Sequence, residues 1–226
     1  MDSQFWIKAW NEGRTNFHRT SYHEKLLQYF PQLEPLKGQK VLVPLCGKTK
    51  DLLWLSDAGL DVHGIELHEQ AVKDFFLENE LPLPTAVRDR DFIHRSHQNI
   101  VISCGDFFGL EKEEEYDFIY DRGSLVALPS TMRENYARLV GRALKRGGKY
   151  LLIVYEYDPS KMEGPPFSID DQEIARLFEN QFTIRLMESE KPKLEGSRLS
   201  SVESLRQNIY ILEKQKGSGL RLDATR

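Results

Sequence analysis

Short apolar runs alternate with amphipathic stretches along most of this chain. Lys40-Val-Leu-Val-Pro-Leu45 is apolar at Val41, Leu42, Val43 and Leu45, which reads as a strand buried on both faces. Gly47 then permits a tight turn, and Thr49 or Asp51 can cap a helix that begins near Leu52. That helix, about 51–58, stops at Ala58-Gly59 and leads to a second strand over 61–65. A helix over 69–79 puts Val72, Phe75 and Phe76 on its inner side. The polar segment 85–98, with Arg88, Arg90 and Arg95, reads as loop or irregular structure. Strands follow at 100–102 and 116–120, then a helix over about 131–144, a sharp turn at Arg146-Gly-Gly148 and the strongest strand, 149–155. Ser168-Ile-Asp-Asp-Gln-Glu173 opens another helix with a capping pattern. Strands near 182–188 and 207–213 form an antiparallel hairpin, and the Gly-Ser-Gly tail beyond Lys214 reads as disordered. The alternation through residue 155 predicts an α/β domain, with a mostly parallel sheet and helices on both faces.

Ahead of the first strand, Trp6 and Trp10 stand at i, i+4 on one face of a short helix over 4–10. A second short helix over 22–30 closes at Pro31. Two readings of the tryptophans stay open: a helix packed on the sheet, or an aromatic wall over the ligand site. The division is an N-terminal helical lid segment over 1–36, a binding domain over 37–214 and a tail over 215–226.

Composition narrows the class. With 226 residues, of which 40% are hydrophobic and 11% aromatic, the chain can bury the core of one α/β domain. A net charge of −4 argues against a nucleic-acid partner. Cys46 and Cys104 give no disulfide framework and point to a reducing compartment. The apolar runs are too short to span a membrane and no signal peptide is visible, so a soluble cytoplasmic protein is expected. The six histidines lack ligand spacing, and no metal is expected.

The chemistry gathers at strand ends. Glu66 lies 19 residues after Gly47, where a doubly wound fold holds a ribose by its hydroxyls. A pyrophosphate would ask for the three-glycine loop, and the turn Pro44-Leu-Cys-Gly-Lys48 has one glycine, which disfavours a nicotinamide or flavin cofactor. A nucleoside without phosphates, such as S-adenosylmethionine, asks less of this turn. Asp106 follows the strand at 100–102 and can accept from an adenine amino group, Phe107 can pack on the base, and Asp121-Arg122 falls at the same edge. Arg122 has a structural alternative, an ion pair with Asp121 or Glu134. Cys46 reads as a buried structural thiol and not a nucleophile.

These residues carry a resemblance. Phe5-Trp6-x3-Trp10-x2-Gly13-x3-Phe17-His18, Val43-Pro-Leu-Cys-Gly-Lys48, His63-Gly-Ile-Glu66 and Tyr120-Asp-Arg-Gly-Ser-Leu-Val-Ala127 together resemble the thiopurine S-methyltransferase family, from about residue 4 to residue 213. The resemblance implies a class I methyltransferase (Rossmann-like) fold, with a seven-stranded sheet whose last strand is antiparallel. It also implies S-adenosylmethionine as donor and S-adenosylhomocysteine as product; a monomer is expected. Trp10, Leu45, Glu66 and Arg122 match the family's cofactor-contacting positions, Trp6 begins its N-terminal cofactor segment, and Gly105 and Asp106 match the pair near the adenine. Phe17 matches a position touching the ring of the substrate. The implied acceptors are thiopurines or other aromatic and heterocyclic thiols, with selenium or tellurium species as an in vivo variant. Arg122 would favour the thiolate. Ala9, and the run Arg19-Thr-Ser-Tyr-His-Glu24, depart from the pattern of bacterial members, and both bear on the acceptor pocket. A halide or thiol methyltransferase of the related branch, or a non-catalytic S-adenosylmethionine-binding module, are the alternatives.

Overall fold

A computed structural model describes residues 3–15, 18–192 and 202–216. The nine strands among them are β1 (Lys40–Val43), β2 (Asp61–Glu66), β3 (Val87–Asp89), β4 (Phe92–His97), β5 (Ile100–Cys104), β6 (Tyr116–Arg122), β7 (Leu144–Glu156), β8 (Phe182–Glu190) and β9 (Arg206–Lys214). They form one sheet in the order β3-β4-β5-β2-β1-β6-β7-β9-β8. The helices are α1 (Ser3–Asn11), α2 (Glu24–Tyr29), α3 (Asp51–Asp57), α4 (Glu69–Glu78), α5 (Ser130–Ala143) and α6 (Asp171–Phe178).

Strands β5, β2, β1, β6 and β7 run parallel, and the order reverses between β1 and β6. That reversal opens a crevice at the carboxyl ends of the two strands. Strand β9 pairs antiparallel with both β7 and β8, so the last strand lies one place in from the edge. The alternating side chains of β1 explain why its run is uniformly apolar. Leu42 joins a core with Tyr136, Val140 and Phe178 from α5 and α6. Val41 and Val43 join the opposite core, with Leu26, Leu52, Phe75 and Phe76 from α2, α3 and α4. None of the helices among the described residues is long and apolar enough to cross a membrane.

Two expectations are corrected. The segment 85–98 is not irregular: β3 and β4 form a hairpin, and β4 pairs antiparallel along the edge of β5. The seven-stranded sheet therefore gains two strands. The hairpin escapes the hydrophobic pattern because pairing with the β5 edge, and not an apolar face, holds it; β3 is exposed throughout. Buried Arg95 donates to the Pro84 carbonyl at 2.6 Å, which spends one of the charges that made the segment look like loop. The second correction concerns Pro31. It does not close the helix but sits in the first turn of a 3-10 helix over Phe30–Leu33, where a missing N–H costs nothing.

A chain of hydrogen bonds links four strands, β6, β2, β5 and β4. The Tyr116 hydroxyl meets His63 Nδ1, His63 Nε2 lies 2.6 Å from Ser103 Oγ, and that hydroxyl lies 2.7 Å from His94 Nδ1. Burial pushes His63 down from 6.5 to about 4. The folded chain thus keeps His63 neutral while the unfolded chain takes a proton below about 6.5. Its contribution to stability is complete above that value and is lost as pH falls toward 4, at about 1.4 kcal/mol per pH unit. Urea titrations from pH 7 to pH 4 should show His63→Asn losing stability less steeply than the wild type, and parallel curves would remove His63 from acid denaturation.

Candidate active site

The turn after β1 is held in a conformation that most side chains avoid. Leu45 has φ +46° and Gly47 φ +56°, so two residues of this turn are left-handed, one of them a leucine. Cys46 N–H donates to the Ile65 carbonyl at 2.9 Å, and a Cβ on Gly64 would stand 2.8 Å from Cys46 Sγ. Ser124 Oγ donates to the Pro44 carbonyl at 2.6 Å and ties the loop after β6 to the same turn.

Glu66 ends β2 directly against this turn. Its Oε2 accepts from Gly47 N–H at 2.8 Å and its Oε1 from His68 N–H at 2.8 Å. The spacing between Gly47 and Glu66 is therefore a hydrogen bond. Burial pushes the Glu66 carboxyl up from 4.5 to about 7, against the lowering pull of backbone donors at His68, Gly47 and Leu67. A buried acid near neutrality with free lone pairs fits a site that awaits further donors.

Helix α1 lies over both turns. The Trp10 indole stacks on His68, with centroids 5.9 Å apart and planes at 16°, and Lys48 Nζ sits 6.0 Å from the indole ring. A Cβ on Gly47 would come within 3.2 Å of the indole. His68 Nδ1 accepts from Ala71 N–H, so the ring proton sits on Nε2, which donates to Asn11 Oδ1 at 3.0 Å. The geometry therefore places Trp10 against the turns after β1 and β2. Trp6 is half-buried and meets Phe5 edge-on at 5.2 Å. Phe17 lies outside the described residues, as does the tail beyond residue 216.

The β5 end divides its expected residues. Gly105 N–H donates to the Glu66 carbonyl at 2.9 Å, and a Cβ there would lie 2.5 Å from the Phe92 ring of the edge hairpin. Asp106 is exposed, and its Oδ1 accepts from Phe108 N–H at 2.9 Å. Phe107 is 3% exposed, and its ring packs in the core against Tyr136 with centroids 5.1 Å apart.

At the end of β6 adjacent residues point to opposite faces. Asp121 is fully buried and accepts from Ser124 and Leu125 N–H and from the Tyr136 and Tyr150 hydroxyls. Glu134 pairs with Arg176. Neither is therefore free for Arg122, which makes no ion pair among the described residues. Its charge is felt instead at Tyr120, His18 and His23. Cys46 is buried and its thiol is pushed up by that burial, which suits a structural residue.

Sequence reasoning missed two members of this neighbourhood. Asp51 was expected as a helix cap, yet its carboxylate accepts from His23 N–H and the Tyr120 hydroxyl, bridging three segments. His68 carried a readable signal, since it stands two residues after Glu66 and ahead of a helix.

The reversal at β1 and β6, the acid closing on a one-glycine turn and the aromatic cover define a class I methyltransferase. The 1,6-didemethyltoxoflavin-N1-methyltransferase of Burkholderia thailandensis, solved with 1,6-didemethyltoxoflavin and S-adenosylhomocysteine, shares the fold at TM-score 0.66 and 15% identity, over 94% of this chain and 86% of that one. Haemonchus contortus phosphoethanolamine N-methyltransferase 2, solved with S-adenosyl-L-methionine, aligns at TM-score 0.63 and 16% identity, over 85% of this chain and 52% of that one. The chain also matches the family described as Thiopurine S-methyltransferase over residues 1–215. The Thiopurine S-methyltransferase of Bordetella pertussis is 40% identical over 228 residues, covering 95% of this chain and 99% of its own. That of Azotobacter vinelandii is 37% identical over 221 residues, covering 95% and 100%. The chain belongs to the thiopurine S-methyltransferase family.

Gly47→Ala should cost about 1–2 kcal/mol, because it places a Cβ at a left-handed residue beneath the indole. Thermal unfolding and near-ultraviolet dichroism would report it, and an unchanged aromatic spectrum would show that the indole does not rest on this turn.

Proposed function

We propose that this methyltransferase moves the methyl group of S-adenosylmethionine to the sulfur of an aromatic or heterocyclic thiol, with thiopurines as the representative acceptors. The observation that carries the reading is the buried Glu66 carboxylate beside a turn bared by Gly47 and covered by Trp10. Without a Cβ at Gly47 the indole can close directly over the turn beside Glu66. The unfilled lone pairs of Glu66 suit two ribose hydroxyls. Leu45 and Gly105 would line the nucleoside, with Asp106 toward the adenine.

When bound, the donor supplies a methyl carbon already activated by a sulfonium charge. Alignment and water exclusion remain for the protein. Trp10 and the rest of α1 would cover the crevice, and Phe17 would meet the acceptor ring. Arg122, with no carboxylate partner among the described residues, would favour the ionised form of an aromatic thiol, so no strong general base is required. A soft selenium or tellurium acceptor asks for the same surroundings. The reading includes a cytoplasmic monomer, in keeping with the two free cysteines.

Calorimetry with S-adenosylhomocysteine, followed by turnover of 6-mercaptopurine, tests this directly. Micromolar binding and methylation at sulfur are expected. Binding without turnover would move the acceptor to alkyl thiols, halides or selenium and tellurium species, and an absence of binding would end the proposal. Arg122→Ala should lower kcat/KM about tenfold or more, by loss of the charge that favours the thiolate.

Ribose hydroxyls donate to the ionised acid, so binding should draw the Glu66 carboxyl down from about 7 and release a proton. The affinity for S-adenosylhomocysteine should therefore rise as pH climbs through 7 and level off above 8. Calorimetry in buffers of different ionisation enthalpy would count the proton. A pH-independent affinity would take Glu66 away from the ribose.

A further inference from the structure

His23 is 1% exposed, and its two ring nitrogens have different fates. Nδ1 accepts from Lys25 N–H at 3.2 Å and caps α2, so the ring proton resides on Nε2. Nε2 is buried and finds no hydrogen-bond partner among the described residues. A buried donor left unmatched costs about 1–3 kcal/mol, and native structures hold few of them. Such a group asks for a ligand.

The surroundings say which kind. His23 N–H donates to Asp51 Oδ1 at 2.8 Å, and Asp51 Oδ2 accepts from the Tyr120 hydroxyl at 2.9 Å. That carboxylate is thus engaged through both oxygens, and it fixes His23 against β6. Arg122 leaves β6 two residues beyond Tyr120, on the same face and one step nearer the crevice. Its guanidinium has no ion-pair partner among the described residues. Burial, followed by the charges of Arg122, Arg19 and Lys25, pushes His23 down to about 2, so the ring stays neutral and can only donate. One neutral donor and one cationic donor therefore lie near enough for the charge of Arg122 to be felt at His23, and neither has an acceptor among the described residues.

We propose that His23 Nε2–H and the Arg122 guanidinium form a subsite for the ionised sulfur of an aromatic thiol. The inference rests on the methyl-transfer reading and adds to it a second contact, His23 Nε2–H, on the ionised sulfur. A neutral imidazole suits a soft anion, because it donates a hydrogen bond without offering a proton that would quench the nucleophile. His23 is thereby a binding residue, and Arg122 shares its load.

The test separates this subsite from the donor site. Protein loaded with S-adenosylhomocysteine is titrated with 5-thio-2-nitrobenzoate, a coloured aromatic thiolate, and separately with its S-methyl thioether. His23→Asn keeps a side-chain oxygen able to cap Lys25 N–H and removes the Nε2 donor. S-adenosylhomocysteine should bind the variant as it binds the wild type. Thiolate affinity should fall about ten- to a hundredfold, and thioether affinity by less than about twofold. Unchanged thiolate affinity would overturn the subsite. So would equal losses for thiolate and thioether, which would make His23 a packing residue. If asparagine unfolds the chain, Arg122→Gln reads the same pair of affinities, and an unchanged thiolate affinity overturns the subsite there as well. Failure of S-adenosylhomocysteine to bind the wild type would instead remove the donor reading, and the subsite with it.

Discussion

The Glu66 carboxylate joins the two turns from which the crevice is made. One oxygen takes the amide of Gly47 after β1, and the other takes the amide of His68 after β2. Everything laid over the site depends on this joint. His68 is fixed as the cap of α4 and offers its ring to Trp10, while Gly47 offers the bare surface on which the indole lies. Burying an acid is unfavourable, and here the backbone amides offset only part of the cost, leaving Glu66 near neutrality. A site whose central acid is incompletely satisfied gains from a ligand that brings hydroxyl donors.

The end of β6 solves a different electrostatic problem. Alternation along a strand sends Asp121 to one face and Arg122 to the other. Four donors, two of them tyrosine hydroxyls, absorb the aspartate charge within the core. The arginine forms no ion pair among the described residues, and its charge is felt at His18 and His23. Had the two paired with each other, the site would have lost its one cation on that strand. The tyrosines of α5 and β7 therefore hold the neighbouring acid in the core, away from Arg122.

The doubly wound order and the place of the crevice were legible in sequence because both follow from strong local signals. The apolar run 41–45 marks a strand buried on both faces, and the interval from Gly47 to Glu66 marks adjacent strand ends. What escaped was decided by tertiary partners. The hairpin over 87–97 has no apolar stripe and exists because β5 offers an edge. Phe107 and Phe108 are indistinguishable in sequence, and a 3-10 turn sends the first into the core. Asp51 and Thr49 both look like helix caps. Only the fold brings His23 and Tyr120 to Asp51, while Thr49 Oγ1 takes the Asp51 amide. The tryptophan pair announced an aromatic face without saying what it would cover.

The position of β9 reaches beyond the folded state. The longest strand, β7, finishes at Glu156, but its outer neighbour is not made until Arg206–Lys214. During synthesis the ribosome must add some fifty residues while that edge of β7 stands unpaired, and β8 cannot dock because β9 lies between them. The nascent chain therefore stays sticky late, and the half of the sheet that ends in β6 and β7 closes only when β9 emerges. Chaperone demand on this protein should concentrate in that interval of translation.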